Sequence, residues 1–118
     1  MFIENESNPL RITMTEGDFG ITLPIELIIE DKETISNYDN FVLNIYKTIN
    51  SEPIVSKTYT DIQDNTIEFS LTEQESLLLP VGKYYYDLDW YQNEVFMCNL
   101  VAKENFSVIE KAGVVNES

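Results

Sequence analysis

Two aspartates in the run "YYYDLDW", Asp87 and Asp89, stand two residues apart. At strand spacing both carboxylates project from one face, so a carboxylate pair for hydrolysis can be imagined there. A small β domain offers no deep cleft, and a solvated strand face is the favoured reading. Asp61, Asp64 and Asn65 form a second oxygen-rich cluster. They lack the Asp-x-Asp-x-Asx-Gly register of a calcium loop, and ordinary turn chemistry accounts for them. The single cysteine, Cys98, lies in the apolar run "VFMCNL" and is expected to be a buried, inert thiol. The chain has no histidine, which removes Ser/His and Cys/His nucleophilic pairs, most zinc sites and the usual general base at neutral pH. Its four glycines do not cluster into a phosphate-binding loop. No catalytic, cofactor-binding or metal-ligating residue is therefore assigned, and the chain is not expected to be an enzyme.

The elements that carry these residues alternate with a period of two. In "GITLPIELIIE", Ile21, Leu23, Ile25, Leu27 and Ile29 point one way and Thr22 and Glu26 the other. Pro24 has no amide proton to give to a ladder, so an edge or bulge is expected there. Phe41, Leu43 and Ile45 alternate with Val42, Asn44 and Tyr46; Ile67, Phe69 and Leu71 alternate with Glu68 and Ser70. Further strands are expected across Leu10–Thr15 and Ile54–Tyr59. Asp64-Asn65 reads as a hairpin turn between "SKTYTDIQ" and "TIEFSL", and Gln92-Asn93 as another.

Between Leu71 and Trp90 the pattern changes three times: "LTEQESLLLPVGKYYYDLDW". Thr72 and Glu75 have capping-box spacing. A short helical turn near 72–79 should bring Leu77 and Leu78 over the core and end at Pro80 and Gly82. From Lys83 the period returns to two. Tyr84, Tyr86, Leu88 and Trp90 face inward; Lys83, Tyr85, Asp87, Asp89 and Tyr91 face out. The turn should carry the chain from one sheet to another. The expected fold is all-β: a single immunoglobulin-like β-sandwich of about seven antiparallel strands. Its core includes Leu43, Ile67, Phe69, Tyr84, Tyr86, Leu88 and Trp90, with the Tyr84 hydroxyl bonded to backbone upstream as in a tyrosine corner.

Length and charge bound the rest. The 118 residues suit one domain, here residues 10–110, between an N-terminal arm (1–9) and a C-terminal tail (111–118). Seven basic residues against 21 acidic ones give a formal charge of -14, which argues against binding nucleic acid or an anionic membrane. One cysteine allows no internal disulfide, compatible with a reducing cytosol. Neither a signal peptide nor a transmembrane run is visible.

Several motifs recur here in a characteristic order. Gly17-Asp18-Phe19 precedes a long amphipathic strand, "FSLTEQESLLLPVG" joins a strand to an acidic helical turn, and Gly82-x-Tyr84-x-Tyr86-Asp87-Leu88 follows. A last strand ends in Phe106-Ser107-Val108. Over Leu10 to Glu110 this pattern resembles the small immunoglobulin-like domains of tailed-bacteriophage virion proteins. Such domains often carry a glycine inside the last strand, where this chain has "VAKEN" at Val101–Asn105. The resemblance implies a structural role in the virion, as head decoration or tail/baseplate component, made in the host bacterial cytoplasm. Its partners would be other virion proteins, or a second copy, with Tyr85 and Tyr91 as candidate docking residues. Two alternatives stand beside it: an acidic DNA-mimic inhibitor, and a carbohydrate-binding module stacking host glycans on Tyr46, Tyr85 or Tyr91. The first needs a carboxylate stripe, whereas these acids are spread over loops and strand faces.

Overall fold

The structure is a computed structural model that describes residues 11–27, 39–60 and 62–110. The two terminal segments, Ile29 and Asp61 of the sequence reading lie outside the described residues. Among them the chain forms β1 (Ile12–Thr15), β2 (Leu23–Glu26), β3 (Asp39–Tyr46), β4 (Pro53–Tyr59), β5 (Thr66–Phe69), α1 (Glu73–Leu77), β6 (Gly82–Gln92) and β7 (Val95–Ile109). The protein is mostly β, built as a five-stranded sheet of order β1-β7-β6-β3-β4 and a two-stranded sheet β2-β5. Strands β1 and β7 run parallel, with Ile12 opposite Phe106, while the other pairs are antiparallel. This corrects the expectation of antiparallel strands throughout. A parallel pair needs a long connection between its partners, and the whole intervening chain supplies it.

The inner faces carry the residues whose alternation predicted them. Phe41, Leu43, Ile45, Ile67, Phe69, Tyr84, Tyr86, Leu88 and Phe106 are all buried. Trp90 is partly buried against this core, and its indole N–H donates to Asp39 Oδ1 at 2.8 Å. Phe106 meets the rings of Phe69, Tyr84 and Tyr86 edge-on at 6.2, 6.5 and 6.3 Å. Phe69 belongs to the small sheet and the tyrosines to the large one, so one aromatic cluster joins both. The Tyr84 hydroxyl donates to the Pro80 carbonyl at 2.6 Å, satisfying the polar end of a buried ring. Ile21 departs from its expected place and is exposed. The chain turns at Gly20, at φ +78, where its N–H donates to the Leu71 carbonyl, and β2 begins only at Leu23.

The helical turn forms as its capping box requires. The Thr72 hydroxyl accepts from the Glu75 N–H, and the Thr72 N–H donates to Glu75 Oε1 at 2.9 Å. A cap of this kind contributes about 1 kcal/mol. The turn links β5 of the small sheet to β6 of the large one, as expected. Its leucines do not follow the expectation: Leu77 and Leu78 are 75% and 53% exposed, and Leu79 is buried instead. Glu75 fixes the rotation through its ion pair with Lys57 on β4 at 2.7 Å. Leu79 lies four residues on, on the same side, while Leu77 is turned about 200° away.

Both turns hold two consecutive residues at positive φ, the form that suits hairpin twist. Asp64 and Asn65 are both at φ 52, but β4 and β5 belong to different sheets, and only the bridge Gln63–Thr66 closes this turn. The expected β4–β5 hairpin is corrected accordingly: β4 pairs with β3 and β5 with β2. The second turn is Asn93-Glu94, one residue later than Gln92-Asn93.

Candidate functional site

Strand β7 shapes the outer face of the large sheet. Its pairing with β6 slips at Tyr86/Leu88, Leu88/Asp89 and Trp90/Tyr91, each slip adding one residue to β7. Such bulges bend the longer strand and re-aim its side chains. The first slip sets Ala102 and Lys103 against Asp87, with Lys103 at φ +48. This is the "VAKEN" segment, so a lysine holds a left-handed position that glycine would occupy without strain.

The bulge completes a polar row across four strands. The Ser56 hydroxyl donates to Asn44 Oδ1 at 2.6 Å, and Asn44 Nδ2 donates to Asp87 Oδ1 at 3.0 Å. The Tyr46 hydroxyl donates to Asp87 Oδ2 at 2.9 Å, and the Lys103 ammonium lies 3.6 Å from the same oxygen. That ammonium also sits 4.1 Å from the centre of the Tyr46 ring. Asp89 accepts from the Asn99 amide and more weakly from Asn44 Nδ2 at 3.5 Å. Asp87 is therefore not a solvated group but 6% exposed, because the side chains around it close over the face. Every carboxylate oxygen of the Asp87–Asp89 pair has a protein partner.

Charges in this row move the titrations. Burial, then the hydrogen bond and charge of Asp87, push the Tyr46 hydroxyl up to about 12. Burial, followed by the charge of Asp87, raises Asp89 above the usual carboxylate range, against the opposing Asn99 amide and Lys103. A raised folded-state value means that the folded chain holds this proton more tightly than the unfolded chain. The resulting stability is complete below the ordinary aspartate pKa and lost as pH rises through the raised one. Asp89→Asn should therefore unfold at higher urea than the parent at pH 7. That advantage should shrink to nothing on acidification below the ordinary value. An advantage equal at both pH values would reject the electrostatic cause.

Tyr85 and Tyr91 are half-buried, and Tyr91 packs edge-on against Phe96 at 5.6 Å. Cys98 is exposed rather than buried. It follows Val95, Phe96 and Met97 on the β6–β7 hairpin, all exposed as well. The apolar run that suggested burial instead projects from one end of the sheet. At the opposite end Phe19, Ile21, Ile49, Leu77, Leu78, Val81 and Ile109 are exposed. Register places them together: Thr15 is opposite Ile109, Gly82 opposite Val108 and Tyr46 opposite Tyr85. Among the described residues the ten exposed large hydrophobic side chains thus lie towards the two ends. No family model, curated protein or solved structure matches this chain. Among the described residues no cluster of three or more His, Cys, Asp or Glu is placed to hold a metal ion. No helix of the described residues is long and apolar enough to cross a membrane.

Sequence reasoning missed the polar row and the apolar ends. Asn44 and Tyr46 were legible as outward-facing, but their convergence on Asp87 depends on the slip that brings Lys103 across. No glycine in "VAKEN" signals that slip, and its one asparagine, Asn105, is not the residue at positive φ. The exposed leucines were hidden behind a capping box that was itself readable, since the box fixes where a helix starts but not which side faces the core.

Proposed function

We propose that this chain is a non-enzymatic accessory protein of a tailed-phage virion, an immunoglobulin-like domain docking on other virion proteins at the head or at the tail and baseplate. The observation that carries the reading is the segregation of exposed apolar side chains to the two ends of the sheets. Exposed apolar groups gathered in this way mark contact surfaces more often than solvent-facing ones. Two such ends, separated by a polar face, suit a module held between neighbours in an assembly. The engaged Asp87–Asp89 pair supports a scaffold rather than a catalyst. A glycan platform is less well supported, because Lys103 covers the Tyr46 ring and Phe96 abuts Tyr91.

The deciding experiment is quantitative mass spectrometry of purified particles of the phage that encodes the chain. A fixed copy number relative to the major capsid or tail protein is expected. Abundance in the infected-cell lysate with none in the particles would reject the proposal.

A further inference from the structure

We draw no further inference here: the strongest candidate, the exposed apolar patch of Val95, Phe96, Met97 and Cys98 at the end of the β6–β7 hairpin, carries nothing because nothing in the structure shows what covers it.

Discussion

Phe106→Ala is expected to lower the unfolding free energy by about 3 to 5 kcal/mol, the usual cost of emptying a buried phenylalanine site. The side chain is 0% exposed, stands opposite Ile12 on one side and Tyr84 on the other, and touches Phe69 of the second sheet. No neighbour can collapse into the gap cheaply, because three rings lean on this one edge-on. Against a total of about 5 to 15 kcal/mol for a domain, the loss is a large fraction. In urea the midpoint should fall on the order of 2 M with an unchanged slope. Phe96→Ala supplies the control. It removes the same side chain from the same strand where it is half exposed, and should cost under about 1 kcal/mol. Equal losses at the two positions would mean that the aromatic cluster does not join the sheets.

The contrast between these two phenylalanines also marks how far the sequence could be read. Period-two alternation identified the inner face at Leu43, Ile67, Phe69, Tyr84, Tyr86 and Leu88, because burial of one sheet face writes itself directly into residue type. It failed at "VFMCNL", where apolar residues sit on a hairpin that extends past the covering layer. Apolarity alone cannot distinguish a residue buried within its own domain from one exposed at the end of a sheet. Pairing was less legible than facing. The parallel contact of β1 with β7 joins residues more than ninety positions apart, and no local pattern encodes it. The tyrosine bonded to Pro80 was readable because its partner lies only four residues upstream. The polar row was not, since Ser56, Asn44, Asp87 and Lys103 come from four strands and meet only after the bulge has formed.

That row makes Asp87 the second position of large effect. Asp87→Ala leaves the Tyr46 hydroxyl and the Lys103 ammonium without their acceptor, and the Asn44 amide with only its weaker contact to Asp89 Oδ2. A loss of about 2 to 3 kcal/mol is expected, the scale of hydrogen bonds to a charged group. It should stay below the 3 to 5 kcal/mol typical of breaking a fully buried pair, because Lys103 is one-third exposed and regains water. Asp87→Asn should cost less than alanine, keeping one carbonyl oxygen for Asn44 or Tyr46. The row also holds Lys103 in its left-handed conformation, and this gives the sharper test. In the parent, Lys103→Gly relieves backbone strain but deletes the ion pair, so the two effects oppose each other. In the Asp87→Ala background the ion pair is already gone, and the same change should restore up to about 1 kcal/mol. The double-mutant cycle isolates this coupling. If Lys103→Gly shifts the urea midpoint equally in both backgrounds, Asp87 does not hold the bulge, and the polar row is a consequence of the β7 slip rather than its lock.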